Sequence, residues 1–172
     1  MTQFTRDTPG DLAAALLKLE TGRCEGLILD LRFNPGGLLD ETVDIADEFL
    51  KHGVIVSTNG RNVPEQKRSA EGGGRYQDGR VVVLVNEYSA SAAEILAGAL
   101  KDWGRATIVG SRSYGKGSVQ RLLPLKNTSW ARLKLTTAKY YLPSGRCLHR
   151  ENGADTWGVE PDILVPATVR QT

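Results

Sequence analysis

The run Val81-Val82-Val83-Leu84-Val85 holds five branched apolar side chains with no polar residue among them. Its length and β-branched content mark a buried strand rather than a helix. A second run of this kind, Gly26-Leu27-Ile28-Leu29-Asp30-Leu31, lies upstream, and shorter ones stand at Gly53-Val54-Ile55-Val56-Ser57 and Ala106-Thr107-Ile108-Val109. Helical patterns separate them. Thr8 caps a first helix with Pro9 at its first position, and Leu12, Leu16, Leu17 and Leu19 follow before the stop at Thr21-Gly22. A second helix is predicted from Leu39 to Lys51, with Val43, Ala46, Phe49 and Leu50 on one face, and a third from Ser91 to Trp103.

Residues 59–79 turn polar and glycine-rich and are predicted to form a long surface excursion. After Gly117 the character changes: 118–125 and 131–142 are β-rich, and Pro143-Ser144-Gly145 makes a turn. Strand–helix alternation followed by strands predicts an α/β core with a β-rich C-terminal part in one domain of 172 residues.

The bulk chemistry excludes several classes. A net charge of +2, with Arg61, Lys67, Arg68, Arg75 and Arg80 interrupted by acids and glycines, argues against nucleic acid or an anionic membrane as partner. His52 and His149 are the only histidines and no HExxH is present, which argues against a metal site; both read as surface residues. Cys24 and Cys147 form no CxxC pair and are either one bridge or two free thiols. No apolar run reaches the length of a membrane span, and no signal peptide precedes the first helix.

In an α/β sheet, sites gather where strands end and helices begin. Three such places stand out: Asn34-Pro35-Gly36-Gly37, Asn86-Glu87-Tyr88-Ser89-Ala90-Ser91-Ala92, and Ser113-Tyr114-Gly115-Lys116-Gly117. Ser91 at a helix start is ordinarily an N-cap, but the same place suits a nucleophile whose developing charge meets free N–H groups. Lys116 between two glycines is ordinarily a solvated turn residue. As a base it would need its amine neutral near pH 7, which burial away from carboxylates could supply. Gly36 and Gly37 make a turn and could also aim a bare N–H at an oxyanion. Gly110 to Lys116 matches the first part of a phosphate-binding loop, but Gly117 stands where Ser or Thr should hold magnesium, and no helix follows. A Ser-His-Asp triad has no support either, since no G-x-S-x-G surrounds Ser91.

The blocks Gly26-Leu27-Ile28-Leu29-Asp30-Leu31-Arg32-Phe33-Asn34-Pro35-Gly36-Gly37, Ser89-Ala90-Ser91-Ala92-Ala93-Glu94, Tyr114-Gly115-Lys116-Gly117-Ser118-Val119-Gln120, Tyr140-Tyr141-Leu142-Pro143-Ser144-Gly145-Arg146 and Gly158-Val159-Glu160-Pro161-Asp162 occur in one order along nearly the whole chain. In these blocks the sequence resembles the carboxy-terminal processing peptidases, or tail-specific proteases, of the S41 serine peptidase family. The resemblance implies a ClpP/crotonase-like core, with a curved sheet and flanking helices. It also implies a serine endopeptidase that cuts protein or peptide substrates near their C-terminal tails through an acyl-enzyme, without cofactor or metal. Ser91 would be the nucleophile, Lys116 the general base and Gln120 the residue that orients the lysine. The N–H groups of Gly37, Gly36 and Ala92 would form the oxyanion hole.

Family members carry a helical N-terminal region and a PDZ domain ahead of this core, so residues 1–172 read as an S41-type core without them. The family also implies a periplasmic or cell-envelope setting for the full-length form. Ala93 stands where serine is frequent. A homo-oligomer is left open, and the competing functional reading is a non-hydrolytic peptide-binding homologue or an inactive core.

Overall fold

A computed structural model describes residues 1–20, 22, 24–61, 63–125 and 130–166. The elements are α1 (Thr8–Glu20), β1 (Gly26–Asp30), α2 (Leu39–Asp47), β2 (Gly53–Gly60), β3 (Val63–Ala70), β4 (Arg80–Val85), α3 (Ala92–Asp102), β5 (Thr107–Gly110), β6 (Ser118–Pro124), β7 (Arg132–Tyr141) and β8 (Ile163–Leu164). They form two four-stranded sheets, one in the order β1-β4-β5-β8 and the other β3-β2-β7-β6. The first is parallel throughout, with Leu27 opposite Val81 and Val83 opposite Ile108. The second is antiparallel. Helix α3 packs on α2 and contacts both β2 and β5, so it joins the two sheets around one core. Ala93, Ile95, Leu96, Ala97, Ala99 and Leu100 from this helix are buried there with Phe49, Ile55, Val83 and Ile108.

The mixed α/β class and the β-rich C-terminal part are as expected, but the polar stretch 59–79 is not one long excursion. Val63–Ala70 pairs antiparallel with β2, Lys67 opposite Ser57. Residues 64–69 of this strand are exposed, so it has no apolar face to betray it and instead carries the charges that blunt a sheet edge. Helix α2 also stops earlier than its apolar spacing suggests: Glu48 caps it, and Phe49 and Leu50 reach the core from the turn that follows. In β4 the side chains alternate, with Val81, Val83 and Val85 buried and Val82 and Leu84 half-buried. Ile28 on edge strand β1 is 67% exposed, so one face of the parallel sheet is only partly covered by the described residues.

The parallel order has a direct consequence for the site. β1, β4 and β5 are adjacent and point the same way, so the loops that leave their C-terminal ends meet at one end of the sheet. Gly110 closes β5 there with φ +131°, and a Cβ on it would lie 1.9 Å from the carbonyl oxygen of Val85. Gly110→Ala is expected to destabilise the fold by roughly 1–3 kcal/mol from backbone strain alone. That corresponds to a fall in melting temperature of about 3–10 °C, read by thermal denaturation.

Candidate active site

Ser91 precedes the first residue of α3 with φ 57° and ψ −116°. A non-glycine residue held at positive φ costs on the order of 1–3 kcal/mol and persists only where its surroundings over-determine it. Here they do. The carbonyl of Ser91 accepts from the N–H groups of Glu94 (2.9 Å) and Ile95 (3.0 Å), and its own N–H donates to Glu94 Oε2 at 2.8 Å. The preceding Ala90 N–H donates to the Asn34 carbonyl at 2.9 Å, tying the serine loop to the glycine loop. The result is a sharp strand-to-helix turn that sets Ser91 at the start of α3, beyond the C-terminal end of β4. It is reached without glycines on either side of Ser91.

The glycines are supplied across the gap instead. A Cβ on Gly36 (φ +103°) would lie 2.8 Å from the Ala90 oxygen, 2.8 Å from Ser91 Cβ and 2.9 Å from the Ala92 nitrogen. Only a bare backbone can approach the serine loop this closely. Gly36→Ala is therefore expected to push Ser91 out of place and lower any Ser91-dependent turnover by about 10²-fold, the cost of a misplacement near 1 Å. Its melting temperature should be recorded alongside.

Asn34, fully buried, accepts the Gly36 N–H at 2.8 Å on Oδ1. Gly36 thus has its donor engaged. The N–H groups of Gly37 and Ala92 have no acceptor among the described residues. Gly37 is held by the N-terminal segment, where Phe4 N–H donates to the Gly36 carbonyl and Leu38 N–H to the Phe4 carbonyl. At the rim, Phe33 (φ 61°) stacks on Tyr88 with ring centroids 5.4 Å apart, and both backbone N–H groups donate to Asn86 Oδ1.

The third loop reaches the serine through one carboxylate. Glu94 is 1% exposed. Its Oε1 accepts from Ser113 Oγ (2.6 Å) and the Gly115 N–H (2.6 Å), and its Oε2 from the N–H groups of Ser91 and Lys116, both at 2.8 Å. Ser91 and Lys116 are therefore clamped to the same oxygen through their backbones. Burial pushes the Glu94 carboxyl above its ordinary range, and the hydrogen bonds from Ser113, Gly115, Ser91 and Lys116 pull part of that back. Ser89, also buried, adds a second tie. Its hydroxyl donates to the Leu31 carbonyl and accepts the Asn86 N–H, while its own carbonyl accepts the Tyr114 N–H.

The Gly158-Val159-Glu160-Pro161-Asp162 segment closes over this clamp. Val159 N–H donates to Ser113 Oγ at 2.6 Å, and a Cβ on Gly158 would lie 3.0 Å from Glu94 Oε1. Asp162 anchors the segment to β5 by accepting the Ile108 N–H at 2.8 Å.

Not every sequence expectation is met in the same way. The Lys116 side chain is exposed and has no hydrogen bond or ion pair among the described residues. The expectation of a buried amine away from carboxylates is not matched, because the clamp holds the lysine backbone inward and leaves the amine at the surface. Gln120 sits on β6 beside a bulge between Val119 and Gln120 and makes no hydrogen bond to Lys116 here. Its four-residue separation from Lys116 spans a strand, not a helical turn. His52 is exposed, as expected. His149 is packed against the lysine loop despite its distance in sequence: a Cβ on Gly117 would lie 2.3 Å from the His149 nitrogen. Both cysteines are free thiols. Glu94, which holds the site together, was not among the residues predicted for it, although Ser91-Ala92-Ala93-Glu94 has the S-x-x-E spacing of a capping box.

Comparison with known proteins agrees with this architecture. The model of peptidase family S41 matches residues 1–165. A carboxy-terminal-processing protease of Bartonella bacilliformis is 46% identical over 170 residues, covering 96% of this chain and 37% of that protein. A probable CtpA-like serine protease of Staphylococcus epidermidis is 36% identical over 167 residues, covering 96% of this chain and 32% of that protein. Among solved structures, the photosystem II D1 C-terminal processing protease superposes with a TM-score of 0.88 at 32% identity, over 96% of this chain and 41% of that one. The chain thus spans about a third to two-fifths of the length of these relatives. By sequence and by fold alike, it belongs to peptidase family S41.

Proposed function

We propose that this chain is the catalytic core of a serine endopeptidase that cuts protein substrates near their C-termini, with Ser91 as nucleophile and Lys116 as general base. The observation that carries the reading is the Glu94 clamp, which accepts the backbone N–H groups of both residues on one oxygen, near the Gly37 and Ala92 N–H groups that have no acceptor among the described residues. The names of the relatives support the substrate class.

In this mechanism the neutral Lys116 amine takes the Ser91 hydroxyl proton as Oγ attacks the scissile carbonyl carbon. Gly37 and Ala92 donate their N–H groups to the oxyanion. One such donor contributes about 3–4 kcal/mol to the transition state. The Gly36 N–H, held by Asn34, plays no part in this. Collapse of the tetrahedral intermediate breaks the C–N bond, and the Lys116 ammonium protonates the leaving amine. Water then attacks the acyl-enzyme with Lys116 again as base, releasing the new carboxyl terminus and restoring the Ser91 hydroxyl. The exposed amine is desolvated by the substrate that covers it, which favours its neutral form when it is needed.

The test is digestion of an unfolded protein and of tailed peptides, with products mapped by mass. Internal cuts near the C-terminus that vanish in Ser91→Ala are expected. Cuts that persist in Ser91→Ala would refute the assignment. A parent that binds the peptides without cutting them would favour a non-hydrolytic binding protein.

A further inference from the structure

The lysine loop has a second neighbour that the mechanism does not use. Arg150 N–H donates to the Gly115 carbonyl at 2.9 Å, one residue before Lys116. Gly115 has φ +91°, and a Cβ on it would lie 2.7 Å from Trp157 Cδ1 and 2.8 Å from Arg150 Cβ. Arg150 and Trp157 are thus packed directly on the backbone that carries the lysine.

Two guanidiniums stack on the Trp157 indole, those of Arg112 and Arg150, each with Cζ 4.4 Å from the ring centroid. They differ in what neutralises them. Arg112 pairs with Glu160 at 2.9 Å and also donates to the Asp155 carbonyl. Arg150 is exposed, and its guanidinium has no ion pair or hydrogen bond among the described residues. The acid next to it in sequence, Glu151, is bound to Lys139. The buried Glu94 carboxylate behind the loop has both oxygens filled by four donors.

A guanidinium whose face rests on an indole keeps its N–H fork free at the edge. That fork matches the two oxygens of a carboxylate, and the stacking reduces the side-chain freedom lost on binding. With Glu160 assigned to Arg112, Arg150 is the charge of this pair without a partner among the described residues, and its backbone is bonded to the loop that carries the proposed base. We propose that Arg150 is a specificity-determining residue that binds a carboxylate of the substrate within a few residues of the scissile bond. This rests on the peptidase reading of the site. The carboxylate can come from an acidic side chain or from the free end of a polypeptide tail.

The experiment uses three kinds of peptide built on one parent sequence: a C-terminal amide without acidic residues, the same peptide with a free terminal carboxylate, and a series of amides with one glutamate placed at successive positions. Affinities are measured by calorimetry on the Ser91→Ala protein, so that no peptide is consumed. Binding of at least one carboxylate-bearing form about 10-fold tighter than the neutral amide is expected, as for a charge-assisted pair. That preference should fall below about 2-fold in Ser91→Ala/Arg150→Gln, and be partly retained in Arg150→Lys, which keeps the charge and loses the fork. Preference for the free terminus alone makes Arg150 a reader of tails; preference for the glutamate forms makes it a reader of acidic side chains. Equal affinity for all peptides, or an unchanged preference in a folded Arg150→Gln protein, overturns the proposal. Failure of the otherwise wild-type chain to cut any peptide would instead count against the peptidase reading, and the affinities would still decide the role of Arg150.

Discussion

Ser91→Ala, Lys116→Ala and the double variant are expected to lose peptide hydrolysis to one common floor, about 10⁴-fold or more below the parent. The reason is that in the proposed mechanism the two residues act as a unit. Without the lysine the serine hydroxyl keeps its proton, and without the serine the amine has nothing to activate. Losses that add up in the double variant would mean that the two contribute separately. Thermal stability should change little in Lys116→Ala, since the exposed amine holds no partner among the described residues while the backbone N–H that meets Glu94 is retained. A matched set of kcat/KM values and melting temperatures for the three variants separates these outcomes.

Glu94→Gln should be the most damaging of the near-isosteric changes. The carboxylate serves four donors, two on each oxygen. A carboxamide offers one acceptor oxygen, and its NH₂ group must then face two N–H or O–H donors on the other side. Leaving two buried donors without partners costs about 2–4 kcal/mol, a fall of roughly 5–15 °C in melting temperature. Either way round, one of the pairs Ser113/Gly115 or Ser91/Lys116 is released, so turnover should fall by about 10²-fold or more.

Acidification should act on the same joint. The Glu94 carboxyl is raised above its ordinary range chiefly by burial. A raised carboxyl pKa means that its contribution to stability is full below the unfolded value and is lost as pH rises through the folded value. Lowering the pH therefore does not unfold the protein through this group. Instead it turns an acceptor oxygen into a hydroxyl and loosens one arm of the clamp. Beside the loss that comes from protonating the Lys116 base of the proposed mechanism, a second decline in activity is expected at a pH above the ordinary glutamate range, absent from Glu94→Gln and without a parallel loss of melting temperature attributable to Glu94. A pH series of both quantities in the same buffers tests this.

How far these features could be read from residues alone depends on where their partners lie. The serine, glycine and lysine loops are each announced by a buried strand followed by a chain-breaking segment, and the parallel order of β1, β4 and β5 then brings them together. Glu94 is different. Its helix-start spacing to Ser91 is visible in the sequence, yet its other donors come from Ser113 to Lys116, on a loop set beside it only by the strand order. Arg150 and Trp157 are further still from view, because nothing in a polar turn signals that it folds back onto Gly115.

Hydrophobic patterning fails in two other places for plain reasons. β3 is an edge strand whose residues 64–69 are all exposed, so alternation is absent there. The two-residue β8 is too short for any periodicity, and is held by Asp162 and by its pairing to β5. In α2 the apolar spacing continues past the helix because Phe49 and Leu50 are needed in the core whether or not the backbone there is helical.

The most direct test of the Ser91–Lys116 assignment is the site of covalent capture by a peptidyl phosphonate, located by peptide mapping and mass spectrometry. In this reaction the attacking Oγ forms a bond to phosphorus and displaces a phenoxide. A single adduct on Ser91 is predicted in the parent, with none in Ser91→Ala and a rate lowered by about 10³-fold in Lys116→Ala. An adduct on another serine such as Ser89 or Ser113, or capture of Ser91 at an undiminished rate without Lys116, would contradict the assignment.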